Sequence, residues 1–407
     1  VVKTGDRLKV IGNLDVLSTP EQVSVSYPSI VEDVPVGSTL LIDDGETGLK
    51  VVEKTAEYLL CEVQNDGTIG SRKSVNIPGV SVNLPSITAK DRRSIEIAIK
   101  YNADFIAHSF VRHKQDVLDV QKILDEYNSP IKIIAKIENQ EGVDNIDEIF
   151  ETAYGVMVAR GDLGIEVPQE KIPGIQRLLI RKAVEYKKPV IVATQMLHTM
   201  IENPRPTRAE VTDIANAVYY GTDAVMLSGE TAYGKYPVEA VRTMAQIAYA
   251  AEQSKLEEKV IPVPFKDEEY DTTSFLAKQA VKAATQLGLN AIITDSYTGR
   301  TARTIAAFRS KCPVYAICCN DAVARQLAVC YGVEASYQES TGFTTHQHKQ
   351  YFLKALNSLL ERGLIKKEDT VAYLSGSFGE GKGTSFLEIN GVGRVIDAGD
   401  AFEVPVN

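Results

Sequence analysis

Between residues 84 and 255 short apolar runs alternate with stretches of helical period. The runs are Asp104–Ser109, Ile131–Ile137, Gly155–Ala159, Pro189–Ala193 and Asp223–Leu227. Unbroken apolarity, rather than every second residue, marks strands covered on both faces, and a helix between successive strands is the usual crossover of a parallel sheet. The segment therefore reads as α/β, either an open doubly wound sheet or a (β/α) barrel. Its first helix is announced by Thr88 with Asp91 three residues on, a capping-box arrangement.

The flanks have a different texture. From Val1 to about Asn83 only short strand-like runs occur, such as Leu40–Ile42 and Tyr58–Val63. Turn signals at Asp44-Gly45, Asn65-Asp66-Gly67 and Pro78-Gly79 separate them, so a small all-β unit is expected. Around Leu256–Asp271 the chain becomes charged and proline-punctuated, as a linker does. Beyond it a helix near Ser274–Gly288 and strands near Ala291–Thr294, Val314–Cys318 and Thr370–Leu374 predict another α/β unit. The expected division is 1–83, 84–255 and 256–407.

Composition excludes some functions. Lys plus Arg number 44 against 54 acids, which argues against a nucleic-acid or anionic-membrane partner. No apolar run approaches the roughly 20 residues needed to span a bilayer. Five cysteines without a CxxC pair suit neither a disulfide framework nor a zinc ribbon, and read as buried thiols in a cytoplasmic protein.

In parallel α/β folds reactive groups collect at the carboxyl ends of the strands. Here those ends carry Lys136, Glu138 and Asn139, then Ala159-Arg160-Gly161-Asp162, then Thr194-Gln195, then Ser228-Gly229-Glu230. Lys136 and Glu138 are two apart, so an extended backbone points them to one side. Each has a plainer reading: a surface ion pair for Lys136 and Glu138, a helix cap for Asp162 or Thr194. Their coincidence on neighbouring strands favours a site. Two carboxylates at roughly 4 Å repel by about 4 kcal/mol at an effective dielectric near 20, so Glu138 and Asp162 together want a cation. Hard oxygen ligands suit Mg²⁺ or Mn²⁺. Gly161 lets a ligand approach the backbone, and Lys136 adds positive charge beside it.

Five segments then carry a resemblance: Ile133-Ile-Ala-Lys-Ile-Glu-Asn139, Gly155-Val-Met-Val-Ala-Arg-Gly-Asp-Leu-Gly-Ile-Glu-Val167, Ala193-Thr-Gln-Met-Leu197, Pro204-Arg-Pro-Thr-Arg-Ala-Glu210 and Asp223-Ala-Val-Met-Leu-Ser-Gly-Glu-Thr231. In order and spacing they resemble the pyruvate kinase signatures. The resemblance implies a (β/α)8 TIM barrel with an inserted β lid and a C-terminal regulatory α/β domain. It implies phosphoryl transfer from phosphoenolpyruvate to ADP in glycolysis, giving pyruvate and ATP. Lys136 matches the lysine that stabilises the transition state, and Glu138 and Asp162 match the metal ligands. Ala159, Arg160 and Gly161 match the turn that cradles phosphoenolpyruvate, and Thr194 the threonine that protonates the enolate. Ser109 and Arg112 match the active-site end of a strand, and Asp44 and Lys73 match lid positions that reach the nucleotide. A homotetramer is implied as well.

Against that pattern the chain starts directly with lid sequence, Lys3-Thr-Gly-Asp6. The expectation is therefore a partial barrel, without its first three strands, in a chain of impaired activity. Any K⁺ ligands would lie in that missing part. Two other functions stay open on the residues: a Mg-dependent aldolase or lyase acting on pyruvate or phosphoenolpyruvate, and a non-catalytic effector-binding remnant. Gly376–Lys382 nearly spells a P-loop, but Gly383 replaces the Ser or Thr and a strand-like run follows, so it is rejected. His346 and His348 lack a third ligand and read as solvated. After the strand ending at Thr294, the residues Ser296, Thr298, Gly299, Arg300 and Thr301 enter a helix. With Thr294 they form an expected phosphate site for a sugar-phosphate effector, matching the family's effector loop.

Overall fold

A computed structural model describes residues 1–43, 45–80, 85–255, 271–339, 345–376 and 383–400. Three sheets organise them. The first holds β1 (Arg7–Ile11), β2 (Gln22–Ser24), β3 (Thr39–Ile42), β4 (Thr47–Lys54), β5 (Leu59–Val63) and β6 (Val75–Asn76), in the order β2-β1-β5-β4-β3-β6. Alternation along β5, with Leu59, Cys61 and Val63 inward, packs this sheet on Leu8, Leu40 and Leu49.

The second sheet is parallel throughout. It contains β7 (Phe105–His108), β8 (Lys132–Ile137), β9 (Gly155–Ala159), β10 (Val190–Ala193) and β11 (Ala224–Val225), side by side in chain order. Its helix-facing side buries Ile133, Ala135, Ile137, Val156, Val158 and Val192 against Phe150, Leu179 and Ile214. The opposite side carries a smaller layer of Ile134, Met157 and Ala193. The capping box forms as expected: Thr88 Oγ1 accepts from the Asp91 N–H, and the Asp91 carboxylate accepts from the Thr88 N–H.

The partial-barrel expectation is corrected here. It came from setting five apolar runs and a lid-like start against the family's barrel. The five runs do form the five strands of this sheet, β7 to β11, but a strand count gauges the sheet and not the domain, whose strands and helices share one core with members from Ile95 to Met244.

The third sheet has the order β14-β13-β12-β15-β16, from β12 (Ala291–Ser296), β13 (Val314–Cys318), β14 (Val333–Tyr337), β15 (Thr370–Ser375) and β16 (Phe386–Gly391). Only β16 runs antiparallel to its neighbour. β14 is half-exposed and lacks an apolar run, which is why sequence patterning passes over it. β16 settles the P-loop question, because a strand follows Gly383 where a P-loop needs a helix. The linker residues 256–270 and loop residues 377–382 lie outside the described residues, as do the side chains of His346 and His348. All five cysteines are free; Cys61, Cys318 and Cys330 are buried, and burial pushes each thiol up to about 12, whereas Cys312 and Cys319 are only half-buried.

The third unit docks on the edge of the second sheet where its strands begin. Asp104, Pro130, Tyr154, Lys187 and Asp223 each stand just before a strand or its entry turn. They meet Arg325 (2.9 Å), Gln326 (2.9 Å to the Pro130 carbonyl, and 3.2 Å from the Tyr154 hydroxyl to the Gln326 carbonyl), Asp271 (2.7 Å) and Arg309 (3.0 Å) respectively. At Asp271 burial acts to raise the carboxyl, but Lys187 and Ser274 together hold it at about 2. Joining at this end leaves the opposite rim, where the strands finish, clear for chemistry.

Candidate active site

Parallel registration places the strand ends together: His108 pairs with Ala135, Ile137 with Val158, and Ala159 with Ala193. Lys136 stands on the same face of β8 as Ile134, one step nearer the rim. Its Nζ lies 2.5 Å from Glu138 Oε1 and donates to Ser109 Oγ at 3.0 Å. Glu138 Oε2 accepts the Phe110 N–H at 2.6 Å, and Phe110 is aimed there by a positive φ of 54°. Glu138 is 1% exposed. Burial pushes its carboxyl up; Lys136 and the Phe110 N–H oppose that, while the charge of Asp162 adds to it.

Asp162 sits in the first turn of the helix Arg160–Glu166, directly after β9. A buried carboxylate sensing a second one is the arrangement a divalent cation relieves. Among the described residues no group of three or more His, Cys, Asp or Glu is placed to hold a metal. Two carboxylates fit Mg²⁺ or Mn²⁺, which take one or two protein carboxylates and fill the rest of their octahedron from substrate and water.

Across the rim, Thr194 and Gln195 both adopt positive φ, 70° and 54°. Thr194 Oγ1 accepts the Gly161 N–H at 2.8 Å and donates to the Ala193 carbonyl at 2.6 Å. A Cβ at Gly161 would meet Thr194 at 3.5 Å, an ordinary van der Waals contact, so what joins the two residues is the backbone hydrogen bond. Arg160 donates to the carbonyls of Ala193 (3.2 Å) and Thr194 (2.5 Å), and on its other edge to Asp213 (2.6 Å) and Gln176 (3.3 Å). Glu230 is a brace: buried, it accepts the N–H groups of Leu197 and Ser228.

The structure thus brings Lys136, Glu138 and Ser109 into one cluster and Gly161 and Thr194 into hydrogen-bond contact. The Arg112 guanidinium turns to Asp116, three residues into its own helix, at 3.1 Å. In the lid, Lys73 pairs with Asp43 at 2.7 Å, and Asp44 lies outside the described residues. Asn76 of β6 lies beside Glu166, at the end of the helix Arg160–Glu166; burial pushes the Glu166 carboxyl up and Asn76 draws it back. Sequence reasoning missed Asp213, Gln176 and the Phe110 N–H, since no local pattern joins residues brought in from separate elements.

Among the expected effector residues, Thr294 is fully buried and donates to the Asp295 carbonyl. Gly299, at φ 79°, caps the helix Arg300–Ala307 and donates its N–H to Ser296 Oγ at 3.0 Å. The Thr298 carbonyl accepts from Arg303, Thr301 Oγ1 lies 2.8 Å from Thr384 Oγ1, and Arg300 is 3.6 Å from Asp271.

A parallel α/β fold with a lysine, two carboxylates and a backbone turn at its strand ends carries the groups that phosphoryl transfer uses. Comparison with known proteins agrees: the family model "Pyruvate kinase, barrel domain" matches residues 1–241, and "Pyruvate kinase, alpha/beta domain" matches 274–390. A pyruvate kinase of Borreliella burgdorferi is 48% identical over 97% of this chain and 82% of its own length. One of Bacillus licheniformis is 45% identical over 95% of this chain and 66% of its own. The crystal structure of a pyruvate kinase from Cryptosporidium parvum superposes with a TM-score of 0.85 at 38% identity, covering 96% of this chain and 79% of that one. This chain belongs to the pyruvate kinase family and is an enzyme of the phosphotransferase type. The matches correct the expectation of a partial barrel in an impaired chain: the barrel-domain model is matched over residues 1–241, and the Borreliella relative over 97% of this chain. The fold class is the family's barrel, with its lid and C-terminal α/β domain. No helix among the described residues is long and apolar enough to cross a membrane.

Proposed function

We propose that this site moves the phosphoryl group of phosphoenolpyruvate to ADP and protonates the enolate left behind, giving ATP and pyruvate. The observation that carries the reading is Lys136 Nζ, held between Ser109 and Glu138 on the rim that also holds the Gly161–Thr194 turn. Lys136 neutralises charge developing on the transferring group. Ala159, Arg160 and Gly161 present backbone to the substrate, with Ser109 and Arg112 at its edge. The Thr194 hydroxyl passes a proton to the methylene carbon while solvent returns one to its oxygen, closing the C–H bond as the enolate collapses to the ketone. Asp44 and Lys73 face the nucleotide from the lid, whose closure excludes water that would otherwise take the phosphate.

Family membership carries a general dependence on divalent metal and K⁺, and oligomeric assembly. In our reading Glu138 and Asp162 hold Mg²⁺ or Mn²⁺, the assembly is a homotetramer, and the setting is cytoplasmic. A bound divalent ion supplies charge neutralisation between carboxylates and phosphate. Glu138→Gln and Asp162→Asn are each expected to raise the metal concentration for half-maximal pyruvate formation about tenfold or more. An unchanged metal titration in both, or pyruvate formation that ignores ADP, defeats the reading.

The same proposal places a sugar phosphate at Ser296, Thr298, Gly299, Arg300 and Thr301, over buried Thr294. A glycine turn, hydroxyls and an arginine at a helix start suit a phosphate. Titrating phosphoenolpyruvate with and without sugar phosphates is expected to show a lower half-saturation with one of them, lost in Thr301→Glu. Curves unmoved by every effector, or activation surviving that substitution, refute it.

A further inference from the structure

Consecutive positive φ angles at Thr194 and Gln195 are costly, the more so for a β-branched residue, and persist only where the surroundings over-determine them. Arg160 supplies that constraint by gripping the carbonyls of Ala193 and Thr194. Its side chain is only 10% exposed, so the grip needs a counter-ion to hold the guanidinium in register. Asp213, 2.6 Å away, provides it, and Gln176 steadies the same nitrogen. Asp213 belongs to the helix Arg208–Tyr220 and opens onto a groove of about 450 Å³ bounded also by Ile172, Pro173 and Tyr220. Its contact with the site is the Arg160 guanidinium alone, whose residue lends backbone, not side chain, to the proposed substrate turn.

We propose that Asp213 is a positioning residue: through Arg160 it locks the Ala193–Thr194 turn and so fixes the Thr194 hydroxyl for proton delivery. This rests on the reading of Thr194 given above. Without the Asp213 charge the guanidinium is free to turn into the groove, and the Thr194 backbone relaxes from its left-handed state.

Proton delivery runs backwards on pyruvate. A methyl C–H bond breaks, its proton passes to the Thr194 oxygen as that hydroxyl releases its own proton to solvent, and the electron pair forms the enolate; the exchanged hydroxyl then returns a deuteron that closes the new C–D bond, with no phosphate moved. The experiment follows loss of the pyruvate methyl proton signal in D₂O with Mg²⁺ present, beside steady-state kinetics and thermal melts. Asp213→Asn is expected to slow exchange by about 10- to 100-fold, with the KM for phosphoenolpyruvate nearly unchanged, and Asp213→Glu to recover most of the loss. Gln176→Leu gives a milder slowing and serves if Asp213→Asn folds poorly. Wild-type exchange in Asp213→Asn, or equal slowing in Asp213→Asn and Asp213→Glu, or an effect confined to KM, overturns the proposal. Thr194→Val separates the two ideas. If it exchanges normally, the Thr194 reading falls and takes this inference with it. If it loses exchange while Asp213→Asn keeps it, only the inference falls.

Discussion

Lys136→Met is expected to lower turnover by about 10²- to 10³-fold, the loss typical of removing one charge-stabilising donor, while the KM for phosphoenolpyruvate moves little. An interaction that acts on charge developing in the transition state shows itself in kcat and in kcat/KM alike. The geometry adds a second consequence. Lys136 opposes the burial that pushes the Glu138 carboxyl up, so its removal leaves that carboxyl more easily protonated and the metal less well held. The variant should therefore regain part of its activity as pH rises, to the extent that Glu138 is again ionised. Steady-state kinetics across pH and metal concentration test both parts. Near-wild-type turnover at saturating metal would remove Lys136 from the chemistry.

Asp223→Ala is expected to cost about 3–5 kcal/mol of stability, as removal of one partner of a buried pair does. The Asp223 carboxylate accepts from two nitrogens of Arg309 at 3.1 and 3.0 Å, from the Tyr331 N–H at 3.0 Å and from the Val190 N–H at 3.1 Å. Both side chains are under 10% exposed. Arg309 also reaches the Gly221 carbonyl and stacks over the Tyr331 ring, so truncating Asp223 strands a buried cation. The double variant Asp223→Leu/Arg309→Met should recover much of the loss, because it removes both charges. Urea unfolding followed by two spectroscopic probes decides it. A loss below about 1 kcal/mol, the range of exposed pairs, would mean that the clasp is not what joins the second and third sheets.

Much of the site was legible because strand ends are local. Lys136 and Glu138 are two residues apart on β8, and the face they share follows from the period of two. Asp162 and Gly161 follow β9 immediately, and Thr194 follows β10. Of the strands, Gly155–Ala159 and Val314–Cys318 match the structure residue for residue, since both are fully buried runs. β14 was not legible, because a half-exposed strand with Glu334 in it carries no run. The five runs counted between residues 84 and 255 do appear as β7 to β11; what the partial-barrel expectation misjudged was the domain, which the family's barrel model matches over residues 1–241.

By itself the sequence determined the parallel α/β character of residues 84–255, the strand-end placement of lysine, carboxylates and threonine, and the family signatures. These depend on periodicity and on neighbours a few residues apart, which chain geometry fixes without knowledge of distant contacts. The tertiary structure alone decided which polar groups meet. It sends Arg160 to Asp213, 53 residues on, and it joins Asp223 to Arg309 across 86. Buried charges choose partners by desolvation and hydrogen-bond geometry, and both exist only once the helices and sheets have packed.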